Sequence, residues 1–405
     1  MRISQRAAAI QESPIRKLAP LAQAARERGV RIFNLNIGQP DVATPPEFLR
    51  AIAAFSDPVL AYGPSDGLPA LREAMCDYFA RYEIALDPSE VLITNGGSEA
   101  ILFAFNVVAD DGEEIVIPEP FYTNYNGYAE MANVRVVPVR ARAEDGFHLP
   151  PDEALEAAVS KRTRAVLVCS PNNPTGTVLA WEELERLAAF ARRHDLFLIG
   201  DEVYKEFTYD GRRHRSLLEL PDMGERVIVV DSISKRFSAC GARVGAVITR
   251  NREVMASILK FGQARLCPPT LEQLGAVAAY RLGEEYFEAV RTEYQRRRDV
   301  VVDRLTADPG ILLRRPRGAF YVIVKMTGVE DSDDFAAWLL REHQSEGETV
   351  LVAPAGGFYA TPGLGRDEVR MAYVLEVGKL KRAMKVFLEG LERYRARRPA
   401  VARAV

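Results

Sequence analysis

Asp231-Ser232-Ile233-Ser234-Lys235-Arg236-Phe237-Ser238-Ala239-Cys240-Gly241-Ala242-Arg243-Val244-Gly245 follows the apolar run Val227-Ile228-Val229-Val230. That run has the β-branched composition of a buried strand. Two serines precede Lys235, and an arginine stands among small residues eight positions after it. A lysine amine condenses with an aldehyde to a Schiff base. Hydroxyls and a guanidinium nearby can hold a phosphate dianion. The stretch therefore suits a ligand carrying both groups. Read alone, it is also a strand followed by a basic surface turn. Lysine is scarce, with nine among 53 basic residues, and only Lys235 sits between a strand and a Gly/Ser-rich turn.

Working outward, apolar runs recur at Val91–Thr94, Glu114–Pro118, Val134–Val139, Ala165–Ser170, Leu196–Gly200, Val227–Asp231 and Arg243–Thr249. Helical patterns separate many of them, such as Trp181–Arg192. This rhythm predicts an α/β fold with a sheet of about seven mostly parallel strands, which binds ligands beyond the carboxyl ends of its strands. The polar motifs fall at those ends. Asn95-Gly96-Gly97-Ser98-Glu99 opens a helix, whose free N–H groups suit a phosphate. Pro118-Glu119-Pro120-Phe121-Tyr122 offers flat rings. Pro171-Asn172-Asn173-Pro174-Thr175-Gly176 is a rigid turn that fixes an asparagine. Asp201-Glu202-Val203-Tyr204 places a carboxylate at the end of an apolar strand. Lys205, next in line, reads as solvated past the turn.

Ser-x-Ser-Lys followed by Gly-x-Arg-x-Gly, with these partner motifs in this order, resembles the class I/II aminotransferases, the fold-type I pyridoxal 5'-phosphate (PLP) enzymes. The resemblance covers roughly residues 13 to 395. It implies a large PLP-binding domain over 46–290, a smaller α+β domain over 291–405, and an N-terminal segment, 1–45, joining the latter. Lys235 would carry PLP as a Schiff base. Asp201 would hold the pyridine nitrogen proton. Tyr204 and Asn173 would reach the ring oxygen, and Tyr122 would stack on the ring. Gly97, Ser98, Glu99, Ser232, Ser234 and Arg243 would hold the phosphate, joined by Tyr62 of the Tyr62-Gly63-Pro64 stretch from a neighbouring subunit. Gly38, in Gly38-Gln39-Pro40-Asp41, would lie over the substrate, which also meets Asn173. Arg370 would grip its α-carboxylate. Arg265, the cation just before Pro268-Pro269, lies where dicarboxylate-specific relatives place a basic residue from the neighbouring subunit. Its register departs from theirs, and phosphate or inter-subunit contact is the other reading of it.

The implied reaction moves an amino group between an L-amino acid, aspartate first among the candidates, and a 2-oxo acid such as 2-oxoglutarate. Freed Lys235 would take the α-proton and return it to the cofactor. The implied assembly is a homodimer with shared active sites. A carbon–sulfur β-lyase or a decarboxylase on the same scaffold would keep the same cofactor residues. A PLP-fold DNA-binding regulator would need an N-terminal helix-turn-helix region, and fewer than 35 residues precede the first strand-like run. The net charge of −3, with both signs interspersed, argues against a nucleic-acid or membrane surface. Cys76, Cys169, Cys240 and Cys267 lack metal or redox spacing, and the four histidines form no ligand pair. With no signal-peptide pattern at the start, a reduced cytoplasmic enzyme is expected. Gly357–Gly363 reads as a flexible loop, Lys379–Arg393 as a closing helix, and the basic tail Arg393 to Val405 as frayed.

Overall fold

The computed structural model describes residues 1–11 and 13–397. Its strands, in chain order, are β1 (Arg31–Asn34), β2 (Val91–Thr94), β3 (Glu114–Glu119), β4 (Arg135–Arg140), β5 (Thr163–Cys169), β6 (Phe197–Asp201), β7 (Val227–Ser232), β8 (Gly245–Ile248), β9 (Ile311–Leu312), β10 (Tyr321–Met326), β11 (Glu348–Leu351), β12 (Ala353–Pro354) and β13 (Glu368–Ala372). The seven expected apolar runs supply β2 to β8, which form one sheet in the order β2-β8-β7-β6-β5-β3-β4. Every residue of β2, β7 and β8 is buried. Helices therefore cover both faces, and two apolar clusters lie on its two sides. This is the α/β sheet expected from the near-continuous apolar runs.

One strand breaks the parallel pattern. β8 runs antiparallel to both neighbours, with Gly245 opposite Thr94 of β2 and opposite Ser232 of β7. The start of β8 thus lies beside the carboxyl ends of its neighbours, and Arg243 with it. A Cβ on Gly245 would stand 2.5 Å from the Gly96 carbonyl carbon, so the crossing requires glycine.

A second, antiparallel sheet has the order β12-β13-β10-β9, and β1 pairs in parallel with β11. All of these strands but β12 pack in a separate apolar cluster, and Ala353 of β12 joins a smaller one with Ile323 and Phe358. The helix Glu284–Leu305 buries Phe287 in the large sheet's cluster and Val290, Tyr294 and Val301 in the other, so it spans the expected 290/291 boundary.

Two segments depart from expectation. Gly357–Gly363, expected as a flexible loop, is tied down. The N–H groups of Ala360 and Thr361 donate to one Glu119 carboxylate oxygen at 2.8 and 3.0 Å, and Phe358 is fully buried. The closing helix covers Val377–Arg397, because Tyr394 remains packed in the core. The rest of the expected frayed tail, 398–405, lies outside the described residues. No helix among the described residues is long and apolar enough to cross a membrane.

Candidate active site

The carboxyl ends of β2, β5, β6 and β7 converge on a cavity of about 520 Å³. It is lined by Gly38, Gly97, Ser98, Tyr122, Asn173, Asp201, Tyr204, Ser232, Ser234, Lys235, Arg243 and Arg370, which sequence reasoning had drawn from separate motifs.

Lys235 lies in a four-residue helical turn, Ile233–Arg236, capped by Ser232. Its Nζ donates to the Gly38 carbonyl oxygen at 2.9 Å. Beneath it, Ser232 Oγ donates to Val244 O at 3.1 Å and stands 2.8 Å from Ser234 Oγ. Neighbouring Arg236 points the other way, into a buried pair with Asp231 at 2.9 Å. That pair holds the turn from below and leaves Lys235 facing the cavity.

Gly96 caps the helix Gly97–Val108 with a φ of +77°. A Cβ there would stand 2.3 Å from an Arg243 Nη. Glycine therefore lets the guanidinium lie over the helix entrance, where it donates to Asn95 O at 3.2 Å and Cys240 O at 3.0 Å. Arg243 itself has a left-handed φ of +54°. Free helix N–H groups, a guanidinium and the Ser234 hydroxyl together form an anion cradle.

Asp201 ends β6 and is buried. It accepts hydrogen bonds from Tyr125 Oη at 2.6 Å and Val203 N at 3.3 Å. No cation among the described residues pairs with it. Burial pushes its carboxyl up to about 6; the Tyr125 and Val203 bonds hold it down, while Asp231 and Glu202 add to the rise. A buried carboxylate without a cation suits the protonated ring nitrogen of PLP. With the anion cradle and Lys235 in the same cavity, these residues fit that cofactor.

Arg370, on β13, is fully buried. Its Nη1 donates to Asn173 Oδ1 at 3.1 Å and its Nη2 to the Asn36 carbonyl. The guanidinium lies 4.6 Å from the Tyr321 ring centre and 4.8 Å from that of Phe358. Burial lowers its basicity. Its Nε has no hydrogen-bond partner among the described residues. An incoming carboxylate would supply what burial took away.

Three expected residues lie outside the cavity. Glu99 turns its carboxylate back to Asn95, accepting from its N at 2.8 Å and its Nδ2 at 3.2 Å, so it braces the loop. Arg265 donates to that carboxylate at 3.3 Å and to Ile93 O at 3.1 Å. Tyr62 is 81% exposed in the single chain, beside exposed Val59 and Leu60.

The expectation for Lys205 is overturned. It is 3% exposed, with its Nζ 3.9 Å from the Phe79 ring centre, 4.2 Å from Tyr82 and 4.6 Å from Tyr78. The turn after Asp201 sends Tyr204 to the cavity and Lys205 into this aromatic cage. Burial lowers its amine to about 8, with Arg236 adding to the effect.

Sequence reasoning assigned no role to Tyr125, Tyr321 or Asn36. Tyr125 lies one helical turn past Tyr122, within an aromatic run that already suggested a ring site. Tyr321 Oη lies 2.9 Å from Tyr204 Oη and closes the cavity over Gly38, where a Cβ would stand 1.7 Å from it. Its position in Gly318-Ala319-Phe320-Tyr321 carried no local signal, nor did that of Asn36.

Residues 30–386 match the family described as aminotransferase class I and II. An aspartate aminotransferase from Geobacillus stearothermophilus is 30% identical over 95% of this chain and 98% of its own length. An aromatic-amino-acid aminotransferase from Thermococcus litoralis is 36% identical over 95% of this chain and 97% of its own. The solved structure of a Thermus thermophilus aspartate aminotransferase mutant superposes with a TM-score of 0.88 at 32% identity, covering 96% of this chain and all of that one. Likeness of this extent, on top of a cavity whose side chains fit PLP, makes this chain a member of the class I and II aminotransferases, with pyridoxal 5'-phosphate as its cofactor.

Proposed function

We propose that this aminotransferase uses Lys235 as its covalent and proton-carrying residue and takes aspartate as its leading amino donor, with a 2-oxo acid such as 2-oxoglutarate as acceptor. When bound, PLP supplies an aldehyde for amine exchange and a ring that draws electrons from the substrate α-carbon. The observation that carries the residue roles is the convergence of Lys235, cation-free Asp201 and the Asn173–Arg370 pair on one cavity. Lys235 Nζ takes the α-proton and returns it one carbon away. Asp201 keeps the ring nitrogen protonated, and Tyr125 orients Asp201. Asn173 and Tyr204 would hold the ring oxygen, and Tyr122 would pack on the ring face. The N–H groups of Gly97 and Ser98, the Ser234 hydroxyl and Arg243 hold the phosphate. Arg370 takes the α-carboxylate with two of its N–H groups.

The working unit is a homodimer in the cytoplasm. Exposed Val59, Leu60 and Tyr62 support a second subunit covering that face, with Tyr62 reaching the partner's phosphate. A second reading, aromatic donors, is favoured by Ile15, Ile37, Ile101 and Tyr128 in the lining. A panel of L-amino acids with 2-oxoglutarate as acceptor tests both. Aspartate should lead in kcat/KM; phenylalanine ahead of aspartate would select the second reading. Failure of every donor to convert the bound cofactor to its amine form would reject the reaction assigned here.

A further inference from the structure

We infer that Arg16 binds a second carboxylate on the substrate, so that dicarboxylic donors and acceptors are selected by a residue of the same chain; this rests on the aminotransferase reading above. Four cations line the cavity: Arg16, Lys235, Arg243 and Arg370. Its lining holds one carboxylate, Asp201. Lys235, Arg243 and Arg370 have tasks there: amine exchange, the phosphate and the α-carboxylate. Arg16 has none, and no carboxylate among the described residues pairs with it. Its side chain is exposed at the cavity rim.

The backbone under Arg16 is fixed. The N–H groups of Arg16 and Lys17 donate to Ser13 O at 3.0 and 3.2 Å. Buried Pro14 packs on Gly357, where a Cβ would stand 2.3 Å from the proline ring. Ile15 O accepts from Asn36 Nδ2 at 3.1 Å, and the Asn36 carbonyl accepts from Arg370. Two hydrogen bonds at one residue, one from the Asn36 side chain and one to its main-chain carbonyl, thus tie the Arg16 segment to the guanidinium that takes the α-carboxylate. A substrate gripped at Arg370 shares its cavity with the wall formed by Ser13, Ile15 and Arg16.

The solvation of Arg16 sets how it discriminates. A buried, unpaired guanidinium would penalise every substrate lacking a second carboxylate. An exposed one stays hydrated when a monocarboxylic substrate binds, and gains an ion pair when a dicarboxylic one does. Selection is then by reward, and apolar side chains are still admitted beside Ile15 and Ile37. Arg265 does not compete for this task within the chain, because Glu99 and Ile93 O already hold it outside the cavity.

The test uses the PLP-loaded enzyme and two non-reacting probes, glutarate and butyrate, each titrated against the absorbance of the bound cofactor. Wild type should bind glutarate more tightly. Arg16→Gln should raise the glutarate Kd roughly tenfold and the butyrate Kd by less than about threefold, in line with a part-exposed charge-assisted pair. Arg16→Lys should recover part of the loss. The ratio of kcat/KM for 2-oxoglutarate over pyruvate should fall by a similar factor. Equal changes for both probes, or an unmoved glutarate Kd, would overturn the assignment while leaving the aminotransferase reading intact. If no amino donor converts the cofactor, both fall together.

Discussion

Asp201→Asn should make the cofactor-free protein more stable at neutral pH while disabling the enzyme. In the folded chain the Asp201 carboxyl is pushed from 3.8 up to about 6 by burial. Between those values the folded state keeps a proton that the unfolded chain has lost, so stability falls as pH rises through this window. Across it the cost reaches about 3 kcal/mol, and it persists at higher pH. Asparagine keeps the shape and an acceptor for Tyr125 but carries no charge. At pH 8 the variant should therefore gain about 3 kcal/mol, or roughly 3–4 °C in the melting temperature of the cofactor-free protein. At pH 4.5 the wild-type carboxyl is mostly protonated when folded, and most of the gain should vanish. PLP should stabilise wild type more than the variant, because its ring nitrogen provides the missing cation. Conversion of the bound cofactor by an amino donor, followed in single turnover, should slow by roughly a hundredfold or more. Equal cofactor-free melting temperatures at pH 8, or a single-turnover rate within threefold of wild type, would refute this account of Asp201.

Lys235→Ala should still bind PLP weakly but lose the absorbance band of the lysine-bound cofactor and all turnover; borohydride labelling of a different lysine peptide in wild type would displace Lys235. Tyr125→Phe removes the 2.6 Å bond that holds Asp201 down. It should shift the pH dependence of the single-turnover rate upward and slow that rate by roughly tenfold; an unmoved pH profile would make Tyr125 a packing residue only. Gly96→Ala strains a φ of +77° and drives a methyl group into Arg243. The cost should be about 1–3 kcal/mol, read as faster loss of PLP on dialysis and a lower melting temperature; full cofactor retention would remove Arg243 from the phosphate cradle.

The sequence by itself determined the large sheet and the ends of its strands. Apolar β-branched runs report burial on both faces, and Gly, Pro and Asn clusters report turns, because both signals are local. Lys235, Asp201 and Asn173 were legible for that reason: each stands at the junction of a local strand and a local turn. What only the tertiary structure decided depends on pairings that no local pattern carries. Tyr125 and Asp201 are 76 residues apart, and Asn36 and Arg370 are 334 apart. The reversed direction of β8, which brings Arg243 over the Gly97 helix, follows from pairing across the sheet. Lys205 looked solvated because it continues past the turn after Asp201; Tyr78, Phe79 and Tyr82, from a distant helix and turn, enclose it. Arg16 and Arg265 differ little as isolated cations in sequence. Folding gives Arg265 a carboxylate and leaves Arg16 at the cavity rim without one, because charge pairing is settled by which segments meet in space.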